Sequence, residues 1–335
     1  MQFYDNDSPY SYEDMEKHEI CVYNETYFEP TAKSSVININ AICKRTLTTF
    51  VDRDYNFPQN IFLINGYKGK TIVGRKIRSI LRIENKINAI NCSMITAPML
   101  LGILKSKNKT KRKIEISYFP FNNDEKETVF NELKNDRMID IYYPYRYREY
   151  DTNKEQVSPK TGWSFDTNRK QYLGYGEVHL RDFTNEYFKS YDFNNKKIYD
   201  PACSTGEFLS EFKKRHPNSY TIGHDLSQEM VDYAKDFVDE SYCCNAINSP
   251  LKNSEIDLMF LRFLNSQVVS TKDASEMFLK LLTKVKKGGL LAAFGHTPFL
   301  ISKEWLMKSG VKIVNCSGYD VERDAIFQYY VMEKK

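Results

Sequence analysis

The segment Ile198-Tyr-Asp-Pro-Ala-Cys-Ser-Thr-Gly-Glu-Phe-Leu209 constrains the fold more than any other stretch of the 335 residues. Its apolar start and its stop at Asp200 read as a strand, and Ser204-Thr205-Gly206 as a tight turn. Phe208, Leu209 and Phe212 then share one face of an amphipathic helix. Gly206 lets backbone come close to a ligand where a side chain would block it. Gly-x-Gly-x-x-Gly is absent, which excludes the dinucleotide fingerprint. No Gly-Lys-Ser/Thr follows, which excludes a P-loop.

The elements that follow keep a regular order. Tyr220-Thr-Ile-Gly-His-Asp225 is a second strand ending in an acid, 25 residues after Asp200. A carboxylate there can accept both ribose hydroxyls of an adenosine ligand. A helix from Leu226 to Ala234 has Ser227 as its N-cap. Tyr242 to Ala246 is a third strand and turn, Ile256 to Leu261 a fourth strand, and Lys286 to Phe294 a fifth with Gly288-Gly289 in its approach. Val311 to Cys316 and Ala325 to Met332 form a closing hairpin. Strands alternating with helices predict a parallel, doubly wound sheet.

Asp200 through Gly206 resembles motif I of the class I S-adenosylmethionine (SAM) methyltransferases, with Ser204 where that motif has its first glycine. Asp225, Ser227, Met230 and Ala234 repeat the family's next signature, and Gly288-Gly289 is similar to its approach to strand five. The resemblance covers about residues 182 to 335 and implies a seven-stranded Rossmann-like sheet that binds SAM. It implies that Asp200, Ala202, Cys203, Ser204 and Gly206 form the cofactor turn. Asp225 and Leu226 would lie at the ribose, and Asn245 and Ala246 at the adenine. Tyr175, in the segment ahead of motif I, would cover the cofactor, and Trp163 is a second aromatic candidate there. Cys203 reads as a small residue lining the turn, not a nucleophile. A SAM-binding protein without catalysis is a further alternative.

Glycine divides the chain: four of fourteen precede position 162. The first 150 residues read as a smaller α/β or α+β domain, a lid, substrate or dimerisation unit. Asn60–Asn65, Lys113–Phe119 and Met138–Tyr143 are its strands. Asp124 to Lys134 is a helix with Val129, Phe130 and Leu133 on one face, and Lys86 to Leu104 also has helical spacing. Residues 151–181 read as a linker and cover, followed by the methyltransferase domain at 182–335, whose first helix starts at Asp182.

Charge is uneven. The net value is only +4, yet Asp5 to Glu29 holds eight acids against one lysine, and Arg53 to Lys113 holds fourteen basic residues against two acids. Six of those basic residues fall in Lys105–Lys113, a run that either tracks nucleic-acid phosphates or, more often, solvates a turn. With 41% hydrophobic residues the chain is no disordered polymer. No apolar run of about 18 residues occurs, and the acidic start lacks an apolar signal core. Seven scattered cysteines without a Cys-x-x-Cys pair argue against a zinc ribbon or disulfide framework. A cytoplasmic setting is expected.

For the transfer step, His296 stands just past strand five, and Arg262 and Asn265 just past strand four, where the work of open α/β sheets is done. His296 and His179 are candidate general bases, or two ligands of a divalent metal with Glu177 nearby; structural histidines are the plainer alternative. Arg262 suits a substrate carboxylate, or equally a salt bridge across the sheet. His224 is expected to face away from Asp225. Adenine methylation of nucleic acid requires Asn/Asp-Pro-Pro-Tyr/Phe after strand four, and Leu261-Arg-Phe-Leu-Asn265 lacks it. The reading is therefore a methyltransferase of small, amino-acid or keto-acid-like metabolites in specialised biosynthesis, with RNA methylation through the basic segment as the alternative.

Overall fold

Short apolar runs such as Ile61–Ile64 and Leu258–Leu261 lie in strands among the described residues. The computed structural model describes residues 36–52, 61–75, 82–83, 86–87, 94–110, 113–144, 161–162, 177–265, 268–295 and 298–335. The chain divides into two units, Met1–Lys154 with Ser317–Phe327, and Glu155–Cys316 with Gln328–Lys335.

The first unit opens with the short helix α1 (Ile39–Ile42) and contains strands β1 (Thr48–Asp52), β2 (Ile61–Tyr67) and β3 (Lys70–Arg75), followed by the small pair β4 (Arg82–Ile83) and β5 (Lys86–Ile87). β6 (Leu100–Lys109), β7 (Ile114–Pro120) and β8 (Asp140–Tyr142) complete a six-stranded sheet in the order β1-β7-β6-β3-β2-β8. Neighbours in it run antiparallel. Helix α2 (Asn123–Leu133) begins with a capping box between Asn122 and Glu125. It buries Val129, Phe130 and Leu133 in one cluster with Phe62, Ile64 and Ile72, as the spacing predicts.

Two expectations here are overturned. In its described part the stretch Lys86 to Leu104, with its helical spacing, contains β5, a 3-10 turn at Ala97–Met99 and the start of β6, while 88–93 lie outside the described residues. Its apolar residues fit either period, and backbone pairing of β6 with β3 and β7 decides for strand. The basic run is likewise no solvated turn over its described part. Lys105, Lys107 and Lys109 are exposed along β6, whose residues Ser106 to Lys109 pair with Ser117 to Ile114. Lys111 and Arg112 lie outside the described residues.

In the second unit β9 (Lys197–Asp200), β10 (Tyr220–Asp225), β11 (Glu240–Cys243), β12 (Ile256–Leu261) and β13 (Val285–Ala293) are joined by β14 (Val311–Asp320) and β15 (Ala325–Lys334). The order is β11-β10-β9-β12-β13-β15-β14. The first five are parallel and β15 runs antiparallel to β13, the expected Rossmann-like sheet with its closing hairpin. The hairpin tip Ser317–Phe327 is part of the first unit. There Ile326 joins the apolar core and exchanges backbone hydrogen bonds of 2.8 and 2.9 Å with Ile95.

The helices of this unit are α3 (Val178–Tyr187), α4 (Glu207–Arg215), α5 (Gln228–Ala234), α6 (Thr271–Leu282) and α7 (Lys303–Lys308). α3 starts four residues before the anticipated Asp182. Phe208 and Phe212 of α4 pack edge-on against Phe260 of β12, with ring centroids 4.8 and 5.1 Å apart. A separate cluster sets Phe278, Leu281 and Leu282 of α6 against Met259, Leu261 and Leu291. Chain order reverses between the adjacent strands β9 and β12, so the crevice for a ligand opens at their carboxyl ends.

Candidate active site

Asp200 ends β9 and is fully buried. Its Oδ1 accepts from the Ala202 amide at 3.0 Å, and its Oδ2 from Nε of Arg262 at 2.8 Å. Burial pushes the Asp200 carboxyl up, and Arg262 pulls it back part of the way. Arg262, one residue past β12, also donates from Nη1 to Oε2 of Glu177 at 2.8 Å and lies 4.5 Å from the centre of the Phe208 ring. Burial disfavours its charge, but Asp200 and Glu177 outweigh that and hold the guanidinium above its ordinary pKa. Of the two uses anticipated for Arg262, the structure shows the salt bridge. Asn265 donates from Nδ2 to the Arg262 carbonyl at 3.0 Å, and its backbone bridges to Phe299. These contacts tie down the loop after β12.

The turn from Cys203 to Gly206 is shaped by left-handed backbone at both Ser204 (φ 53) and Gly206 (φ 77). The Cys203 amide donates to the His224 carbonyl at 2.7 Å, and the Ser204 amide to Oδ2 of Asp225 at 3.0 Å, which locks the turn onto the end of β10. Cys203 is buried where a Cβ on Gly223 would come within 2.7 Å of its Sγ. Burial, then Asp200 and Asp225, push its thiol well up, which makes it a poor nucleophile.

Asp225 accepts from Ser204 at Oδ2 and from the Ser227 amide at Oδ1, each at 3.0 Å. Burial raises its pKa and those backbone donors oppose the rise. Each oxygen keeps a second lone pair for a further donor. Ser227 caps α5 by accepting from the Met230 amide, as expected. Gly162 (φ 78) lies so close to this turn that a Cβ on it would stand 2.5 Å from the Ser227 nitrogen. No motif marks that approach in the sequence.

After β11, the Asn245 Oδ1 accepts from the Ile247 amide at 3.1 Å and opens a short 3-10 turn that begins at Ala246. The oxygen anticipated for an adenine amino group thus already caps a turn. His224 is buried with Nδ1 2.8 Å from the Tyr199 hydroxyl, its ring edge-on to Tyr199 and Tyr242. Its Nε2 is buried without a hydrogen-bond partner, and burial pushes its pKa down to about 4.

His179 is buried in the first turn of α3. His296, Tyr175 and Trp163 lie outside the described residues. Among the described residues no three His, Cys, Asp or Glu side chains converge as metal ligands. Glu177, the nearby carboxylate of the anticipated metal set, is paired with Arg262. The described residues therefore do not build a metal set. They do fit an adenosine-bearing cation: a carboxylate at the end of β10, a tight left-handed turn, and carboxylates outnumbering the one guanidinium. Sequence reading missed Glu177 as the partner of Arg262. The strand order offered a signal, since β9 beside β12 sets Asp200 and Arg262 at adjacent strand ends.

Residues 198–289 match the model of a family described as "Methyltransferase domain". The chain is similar to isonocardicin synthase of Nocardia uniformis subsp. tsuyamanensis, with 30% identity over 281 residues, 83% of this chain and 92% of that protein. It is also similar to malonyl-[acyl-carrier protein] O-methyltransferase of Acetivibrio thermocellus, with 28% identity over 143 residues, 40% of this chain and 49% of that one. Among solved structures, a SAM-dependent methyltransferase from Aquifex aeolicus aligns at 19% identity and a TM-score of 0.37, covering 50% of this chain and 99% of that chain.

Proposed function

This chain belongs to the class I SAM-dependent methyltransferase family, and we propose that its substrate is a small amino-acid or keto-acid-like metabolite of specialised biosynthesis. The observation that carries this reading is the reach of the similarity to isonocardicin synthase. It spans 83% of the chain, well beyond the matched methyltransferase domain at residues 198–289. Likeness confined to that domain would speak for the cofactor alone. Likeness across both units extends to the parts of such chains that differ with substrate. The residues before 151 are assigned a lid or specificity role on the same ground.

When bound, SAM supplies a methyl group on a sulfonium that a substrate nucleophile displaces in line. The chain's part is to hold and orient. Asp225 is assigned to the ribose hydroxyls, through the lone pairs left over by Ser204 and Ser227. The turn Ala202–Gly206 is assigned to the amino-acid end, Leu226 to the ribose beside Asp225, and Asn245 and Ala246 to the adenine. Tyr175 is retained as a covering residue. His296, and after it His179, are assigned to the substrate proton. No step is routed through a metal.

Calorimetry tests the cofactor assignment. Asp225→Ala removes two charge-assisted hydrogen bonds of roughly 1.5–3 kcal/mol each, so SAM should bind at least about tenfold more weakly. Unchanged affinity would remove Asp225 from the site. Release of S-adenosylhomocysteine against a panel of amino and keto acids tests the substrate class. Release with RNA alone, steeply dependent on salt, would overturn it.

A further inference from the structure

We propose that Glu177 is a cofactor-positioning residue, which takes the α-ammonium of SAM through the carboxylate oxygen that Arg262 leaves open. The proposal rests on the assignment of this crevice to SAM. It starts from Asp200, the acid that ends β9 just before the turn assigned to the amino-acid end of the cofactor. Asp200 is fully buried, with one oxygen held by the Ala202 amide and the other by Arg262. It has no oxygen facing outward to meet an ammonium.

Glu177 is the second carboxylate on the same guanidinium. It stands at the N-cap of α3, ahead of motif I, yet makes no capping hydrogen bond of its own. Arg262 holds Oε2, and Oε1 receives no hydrogen bond from the described residues. The Glu177 side chain is 22% exposed, against 0% for Asp200, so of the two carboxylates only Glu177 can be reached from solvent.

Charge points the same way. Two carboxylates on one guanidinium leave a surplus negative charge, and a largely buried surplus is unfavourable unless a cation completes it. An ammonium beside Glu177 Oε1 would balance the cluster and gain a charge-assisted hydrogen bond. Arg262 then works from behind, fixing the Glu177 carboxylate and anchoring Asp200 at the turn with one rigid fork.

The test compares ligands that differ only in the amino-acid end. S-adenosylhomocysteine carries it, and 5′-methylthioadenosine keeps the adenosine and thioether but lacks it. In Glu177→Gln, calorimetry should show S-adenosylhomocysteine and SAM weakened by about 10- to 100-fold. 5′-Methylthioadenosine should change by less than about twofold on the same scale. Equal loss for all three ligands would make Glu177 a structural brace of Arg262, and no loss for SAM would remove it from the cofactor altogether; either result overturns the proposal. Glu177→Asp, one methylene shorter with charge kept, carries the same comparison should the glutamine variant fail to fold. A wild-type chain that binds none of the three would instead refute the SAM assignment itself.

Discussion

Arg262 donates from Nε to Oδ2 of Asp200 at 2.8 Å, joining the carboxyl ends of β9 and β12 where the chain order reverses. The contact sits between a fully buried carboxylate and a guanidinium whose side chain is 9% exposed. Breaking such a pair from one side strands the other charge.

Arg262→Met should therefore destabilise the fold by about 3–5 kcal/mol, because Asp200 and Glu177 lose their only ion-pair partner among the described residues. Arg262→Lys should recover only part of this, since a point charge cannot serve two carboxylates through a planar fork. Denaturant unfolding of both variants measures it. The double variant Asp200→Asn, Arg262→Met should lose less than the two single losses added together. Full additivity would mean that the pair is not coupled.

Ser204 holds a left-handed backbone (φ 53) at the place where the resembling motif has glycine. A residue with a Cβ is unfavourable there by about 1–2 kcal/mol. Its hydroxyl gains in return only a long contact to the Met230 sulfur at 3.6 Å. Ser204→Gly should thus stabilise the fold by roughly 0.5–1 kcal/mol after the flexibility of the unfolded glycine is counted. A lower thermal midpoint in the glycine variant would show that the serine is held by more than these contacts.

His224 predicts a pH dependence. Burial pushes its pKa from 6.5 down to about 4, so the unfolded chain binds a proton that the folded chain refuses between those values. Its contribution is complete above pH 6.5 and is lost as pH falls toward 4. The depression corresponds to about 3 kcal/mol. Urea unfolding at pH 7, 5.5 and 4.5 should show the wild type losing up to that much more stability than His224→Asn over the interval. Parallel curves would refute the link.

The second unit was legible because its strands stop sharply, β9 at Asp200, β10 at Asp225 and β12 at Leu261, and β12 is nearly all apolar. The helix α2 was legible from Val129, Phe130 and Leu133 at helical spacing. Lys86 to Leu104 misled because its apolar residues satisfy either period, and long-range pairing with β7 decided the matter. Arg262 meets Asp200 and Glu177 across 62 and 85 positions of chain. Local pattern carries no trace of such a contact. Asp225 is intermediate: the Ser227 amide holds one of its oxygens from two residues away, and the Ser204 amide holds the other from 21 residues away.

Ile326 completes an apolar core whose other buried residues all precede position 155. On a ribosome, that core stays unfinished until the hairpin tip emerges, about 170 residues after Lys154. At ordinary rates of synthesis the delay is roughly 10–30 s. During it the nascent first unit presents an open apolar slot beside Ile95, so chaperone demand should peak late in translation rather than midway.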